Sequence, residues 1–360
     1  MELQNYIVNT GDYLQSFKEK GLHVRKYSQL QLAIVKYHHD KNYDFDVNPW
    51  MRYCRGAVID IKNNKVISVP PSRAYEESNL EMIMNNHSDE MKYEVLMEGT
   101  MVNVFYHKQE WRLSTRSSIG GNNLWDSKMT FKQMINDIMG DESWMDTLKQ
   151  DHCYSFVLVH TKNRIVSPVN SDMLYLVEQY NTTGDVPVRV ENDILEKVGT
   201  LPKISKEYIS NYFGDLYFSI KGFVIKYKNE SQPRIKWINP NYKYVMGLKM
   251  HNNNKFLNYI ELRQKNLLKE YLRFFPEDVF EFESYRDQFN NVKQLLYDNY
   301  KDVFIKKIKT TSDVEYSLKP VIHDLHKIYR ETGVKTTFKV VSDYMHTLPA
   351  KKVLYMINHL

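Results

Sequence analysis

The residues of this chain best suited to chemistry are cations that can hold phosphate: Arg55, Arg116, Arg164, Arg234 and Lys236. A guanidinium is a planar fork that meets two phosphate oxygens at once and keeps its charge at physiological pH. Arg55 stands just ahead of the apolar run Gly56-Ala57-Val58-Ile59. Arg116 is followed by Ser117-Ser118-Ile119-Gly120-Gly121, small residues that leave backbone N–H groups open to an anion. Arg234 and Lys236 are two apart, so in a strand they share a face, as two phosphate contacts require. Glu98, beside Gly99, is a carboxylate able to meet a ribose hydroxyl or a metal, although a glutamate in this setting is often only solvated. Taken singly, an exposed arginine ahead of a strand is more often only solvated, so these residues point to phosphate only if the fold brings them together.

The elements that must position them are strands. From about residue 50 to 245 short β-runs alternate with turn residues, starting with Gly56–Ile61, the turn Asn63-Asn64, and Val66–Pro70. Further runs are Tyr93–Leu96, Met101–Tyr106, Trp111–Thr115, Tyr154–Val159, Met173–Gln179, Tyr217–Lys226 and Arg234–Ile238. Helical spacing predicts helices near Phe131–Met139 and Asp193–Val198. After about residue 250 the texture changes. Phe256–Phe274, Phe280–Lys309, Tyr316–Thr332 and Val334–Met345 show apolar residues three and four apart, with breaks at Pro276 and Gly333, and Pro349 opens a last helix. In this all-helical third, Tyr271, Phe274 and Phe275 read as packing residues, and the lysines 306, 307 and 309 as a solvated face.

Composition sets outer bounds. With 42% hydrophobic and 26% charged residues in 360, the chain has ordinary globular usage and room for two domains. The mean hydropathy of -0.56 reflects abundant polar residues rather than disorder. No run of about 20 apolar residues crosses a membrane, and the start lacks a leader-like pattern, so a soluble cytoplasmic protein is expected. Cys54 and Cys153 are too few for a disulfide scaffold or zinc site and should be buried thiols; no metal ligand set is assigned. A net charge of +5 is compatible with a polyanionic partner without requiring one. The 27 tyrosines offer stacking surfaces for unpaired bases, but most should be packed.

Five blocks in order across roughly 180 residues resemble the RNA ligase family, phage-type and large-DNA-virus members of the covalent nucleotidyltransferase superfamily. Arg55-Gly56 resembles its Arg-Gly element, and Thr115-Arg116 a Ser/Thr-Arg element. Leu96-Met97-Glu98-Gly99-Thr100 resembles the nucleophile motif Lys-x-Asp/Glu-Gly-Ser/Thr, with leucine in the lysine position. Phe156-Val157-Leu158-Val159 and Asn163-Arg164-Ile165-Val166 resemble Phe-Glu-x-Val and Asn-Arg-Ile-Val, with Val157 for the glutamate. Lys221-Gly222-Phe223-Val224-Ile225-Lys226 and Arg234-Ile235-Lys236 resemble Glu-Gly-x-Val and Lys-x-Lys, with Lys221 for the glutamate. Asn239–Val245 resembles the segment that closes the domain in viral relatives.

The resemblance implies an α+β fold: a nucleotidyltransferase domain of ATP-grasp-like antiparallel sheets at 1–248, then a helical accessory domain at 249–360. It implies ATP with Mg²⁺ or Mn²⁺ as cofactors and RNA ends as partners. Arg55, Glu98, Gly99, Arg116, Asn163, Arg164, Lys226, Arg234 and Lys236 become the nucleotide- and phosphate-binding positions. The implied activity joins an RNA 5′-phosphate to a 3′-hydroxyl through a lysine adenylate, as in RNA repair. Leucine has no lone pair with which to attack phosphorus. Lys92 lies about 13 Å along the strand from Leu96, and Lys226 and Lys236 are the preferred substitutes by strand position. The alternatives are a pseudo-ligase that binds nucleotide or RNA without reacting, and a structural or interaction protein. The Lys, Asn and Tyr bias resembles that of AT-rich genomes, including those of large DNA viruses.

Overall fold

The structure, a computed structural model, describes residues 1–38, 40–85, 91–124, 129–212, 217–227, 234–249 and 254–360. The chain divides into two compact units, Met1–Lys243 and Tyr244–Leu360.

Three sheets build the first unit. One runs β1 (His23–Tyr27), β2 (Leu32–Lys36), β3 (Arg55–Asp60), β4 (Lys65–Ser68), antiparallel throughout. Leu32-Ala33-Ile34-Val35 and Ala57-Val58-Ile59 are wholly buried, as expected where apolar runs pack on helices: α1 (Glu2–Asn9) and α2 (Tyr13–Glu19) bring Leu3, Ile7, Leu14 and Phe17 to this core. The expected strand–turn–strand at 56–70 is β3–β4. Asp60 closes its turn by accepting the amides of Lys62 and Asn63, and Asn64 takes φ 51°.

The second sheet has the order β13 (Lys203–Ile204), β6 (Met91–Val95), β14 (Gly222–Tyr227), β15 (Ile235–Ile238), β5 (Tyr75–Glu76), with only β5 and β15 parallel. The third runs β11 (Val188–Val190), β10 (Met173–Asn181), β9 (His152–Val159), β7 (Thr100–His107), β8 (Glu110–Thr115), and β12 (Val198–Thr200) lies parallel to β10. Against it packs α4 (Phe131–Met139), whose start is held by the reciprocal bonds of Thr130 and Gln133 and which buries Phe131, Met134, Ile135 and Met139. The unit also holds the short helices α3 (Leu80–Asn85) and α5 (Lys206–Tyr212).

Two expectations need correction. Asp193–Val198 is not a helix: Asp193 is held to Gln179 through both its amide and its carboxylate, and Val198 joins β12. Of the expected strand Tyr217–Lys226, pairing starts at Gly222, because the Asn239 side chain takes up the carbonyls of Tyr217 and Ile220.

After α6 (Pro240–Gly247), in which the division falls, the second unit is helical: α7 (Lys255–Gln264), α8 (Leu268–Phe274), α9 (Val279–Tyr300), α10 (Lys319–Thr332), α11 (Phe338–Thr347) and α12 (Ala350–Asn358). Gly333 ends α10 in the left-handed conformation at φ 70°. The expected run Phe256–Phe274 is broken at Asn266, also left-handed at φ 59°. Tyr271 and Phe275 are buried, while Lys306 and Lys309 pair with Asp302 at the surface. Both cysteines are buried and free. Among the described residues no helix is long and apolar enough to cross a membrane.

Candidate nucleotide-binding site

Two glycines set the frame. The amide of Leu96, just past β6, donates to the Gly222 carbonyl at 3.0 Å, so residues 96–98 run beside Lys221-Gly222. A Cβ on Gly222 would come within 2.1 Å of the Trp237 carbonyl oxygen, and one on Gly99 within 2.4 Å of the Leu158 carbonyl oxygen and 2.6 Å of Val157 Cγ1. Both motif glycines therefore permit close approach of neighbouring strands. Val157, in the position of a family carboxylate, packs on Gly99 and is buried.

Leu96 lines a cleft of about 530 Å³ whose walls are largely apolar, Val159, Val169, Ile204 and Ile220 among them. Its charged residues are Glu98, Lys203 and Lys221. Glu98 is buried, and both of its oxygens accept hydrogen bonds. Its Oε1 accepts the Val166 amide at 2.8 Å and the Tyr242 hydroxyl at 2.7 Å, and its Oε2 accepts the Ser167 amide at 2.6 Å. Burial, and then the Glu98 charge, push the Tyr242 phenol far up. Arg164 donates through Nε and Nη2 to the Val166 carbonyl at 3.1 and 2.9 Å, and Asn163 Nδ2 donates to Thr100 Oγ1 at 3.1 Å. The Asn-Arg-Ile-Val segment thus shapes the loop whose amides satisfy Glu98.

Lys221 is half-buried, and among the described residues its Nζ has no hydrogen bond or ion pair; it lies 5.9 Å from the Tyr242 ring centroid. Burial lowers its pKa, Lys236 and Arg55 add to that, and Glu98 opposes it.

The cations of the second sheet are placed differently from the expectation that they are open to phosphate. Lys226 Nζ is 2.6 Å from Glu94 Oε2 and 3.8 Å from Glu178 Oε1, Arg234 pairs with Glu178, and Lys236 is 3.0 Å from Glu76 Oε2. Burial holds Lys226 below its ordinary range and pushes Arg234 down to about 10. Lys226 stands opposite Lys92, four residues along the pair from the level of Leu96, about 13 Å away. Lys226 thus lies well along the strand from Leu96, and Lys236 is held by Glu76.

Arg55 and Arg116 belong to another group. Arg55 is registered opposite Lys36, and a Cβ on Gly56 would lie 2.8 Å from Arg116 Cα. Arg116 Nη2 donates to the Tyr37 carbonyl at 3.1 Å, and the guanidinium carbons of Arg116 and Arg73 lie 5.0 and 5.5 Å from the Tyr37 ring centroid. Among the described residues, Arg55, Arg73 and Arg116 have no carboxylate partner, and the buried Nε atoms of Arg55 and Arg116 have no hydrogen-bond partner. Burial first, then Arg116 and Arg73, lower the Arg55 pKa against the opposing effect of Tyr37. Sequence reasoning missed Arg73, Lys36 and Tyr37, which match no motif.

It also missed Asp137, His160 and Asp172, whose ligand atoms lie within 4.8 Å of one another and could hold a metal ion. His160 Nδ1 accepts the Lys162 amide at 3.1 Å, so the proton of the neutral ring sits on Nε2, facing Asp137 at 3.2 Å and Asp172 at 3.5 Å. The three side chains form a hydrogen-bonded cluster.

No family model matches the chain. It is 24% identical over 185 residues to a protein of Autographa californica nuclear polyhedrosis virus named as a bifunctional polynucleotide kinase/RNA ligase, covering 45% of this chain and 26% of that one. It is 24% identical over 285 residues to an immediate-early protein ICP-46 homolog of Invertebrate iridescent virus 3, covering 69% of this chain and 60% of that one. The chain thus spans about a quarter and three fifths of the lengths of these relatives. Among solved structures, an archaeal ATP-dependent RNA ligase aligns over 81% of each chain at 11% identity, with a TM-score of 0.47. The five blocks that resemble the RNA ligase family stand on the strands and loops of the antiparallel sheets, and the chain is similar to viral proteins, one of them named as an RNA ligase.

Proposed function

We propose that this protein is a pseudo-ligase: it binds a nucleotide or an RNA end in the cleft beside Leu96 and forms no covalent adenylate. Residues 1–248 would act as the nucleotidyltransferase part and 249–360 as a helical accessory part. The observation that carries the reading is Leu96 itself, which lines the cleft in the position of the nucleophilic lysine and has no lone pair to attack phosphorus. Val157 and Lys221 support it, because neither can supply the carboxylate that would steady a metal there. Arg55 and Arg116 do not line this cleft; without carboxylate partners among the described residues, they could meet a phosphate outside it. ATP with Mg²⁺ or Mn²⁺ is the ligand set to try first. The second reading, RNA joining through adenylate transfer, is favoured by the preserved motif order. Incubation with α-labelled ATP and either metal separates the two. Measurable ATP or RNA binding with no label after denaturation is the expected result; label on any lysine would overturn the pseudo-ligase reading.

A further inference from the structure

The cleft holds an amine that the ligase pattern does not foresee. The bond from the Leu96 amide to the Gly222 carbonyl sets Lys221 next to Leu96, and both line the same cleft. Lys226, Arg234 and Lys236 are each neutralised by a glutamate of the same unit, whereas among the described residues Lys221 Nζ has neither a hydrogen bond nor an ion pair. Glu98 does not pair with it; its hydrogen bonds go to two amides and the Tyr242 hydroxyl. A half-buried ammonium on an apolar wall is unfavourable until an anion joins it.

We propose that Lys221 is a transposed phosphate anchor, and that the cleft takes a nucleoside 5′-monophosphate unit. This rests on the nucleotide-binding reading above and adds to it the residue and the ligand class. The base lies against Leu96, Val159, Val169, Ile204 and Ile220, and the phosphate accepts hydrogen bonds from Lys221 Nζ, with no bond made or broken. The volume of about 530 Å³ falls in the range of small-ligand sites. A monophosphate fits better than a triphosphate because, among the described residues, the only other cation lining the cleft is the exposed Lys203, and the second-sheet cations that would take outer phosphates are already paired. The unit can be a free nucleotide or the 5′-phosphorylated terminal nucleotide of an RNA.

Calorimetric titration of the full chain with AMP, adenosine, ATP, and a short oligoribonucleotide bearing a 5′-phosphate or a 5′-hydroxyl tests this. Thermal melts check that Lys221→Ala and Lys221→Arg are folded. AMP should bind at least as tightly as ATP and about ten-fold or more tighter than adenosine; Lys221→Ala should lose about ten-fold or more, and Lys221→Arg most of that less. Competition between AMP and the 5′-phosphorylated RNA would place an RNA end in the cleft, and AMP binding without it a free nucleotide; either supports the proposal. Unchanged AMP affinity in folded Lys221→Ala, ATP binding about ten-fold tighter than AMP, or a covalent label on Lys221 would overturn it. Failure of the wild-type chain to bind any of these ligands would instead sink the nucleotide-binding reading beneath it.

Discussion

The Tyr242 hydroxyl donates to Glu98 Oε1 at 2.7 Å, tying α6 to the segment that follows β6 through a carboxylate that also holds the amides of Val166 and Ser167. A motif glutamate has become the joint between three parts of the first unit.

Glu98→Ala should therefore be mainly a stability variant. It leaves two amides and a phenol without their acceptor, a loss of about 3 kcal/mol, while Tyr242→Phe should lose about 1.5 kcal/mol. Urea denaturation of both variants checks this. Wild-type stability in Glu98→Ala would show that the carboxylate is free for ligand.

Gly99→Ala and Gly222→Ala place a Cβ within 2.4 and 2.1 Å of strand carbonyl oxygens, so the paired strands must separate. We expect each to destabilise by about 3 kcal/mol, visible as a lower thermal midpoint. Gly140→Ala is the comparison for left-handed strain alone: its added Cβ meets nothing within 4 Å, although its φ is 99°.

Glu178, 2% exposed, faces Arg234 and Lys226. Its replacement by Gln leaves buried cations undercompensated and should reduce stability by about 3 kcal/mol. Chemical denaturation gives the value, and a loss below about 1 kcal/mol would mean that water or Glu94 takes over.

Glu76 is held below the ordinary carboxylate value of 4.5: burial pulls it up, but hydrogen bonds and charge from Lys243 and Lys236 outweigh that. A depressed folded pKa stabilises above the unfolded value, and that stabilisation disappears as pH falls through the folded one. The stability difference between wild type and Glu76→Gln should be constant near neutrality and shrink below pH 4.5, measured by denaturation across an acid series. A difference that grows on acidification would contradict the pairing.

The sequence alone determined most of the elements, because their causes are local. Alternating and β-branched runs gave β3, β4, β6–β10 and β15, and three- and four-residue spacing gave α4 and the C-terminal helices. Motif order pointed to the ligase-like fold, and Leu96 stands where the resembling motif has lysine. Tertiary structure decided which charges are available. Lys226 meets Glu94 and Arg234 meets Glu178 only because segments far apart in sequence bring their side chains together, and the same packing leaves Lys221 and the arginines around Tyr37 without carboxylate partners among the described residues. Asp193 likewise joins Gln179 of β10 instead of lying in the expected helix, since contacts to the neighbouring strand outweigh a weak local propensity. A residue's type limits the chemistry it can do; its partners, set by long-range packing, decide whether it is free to do it.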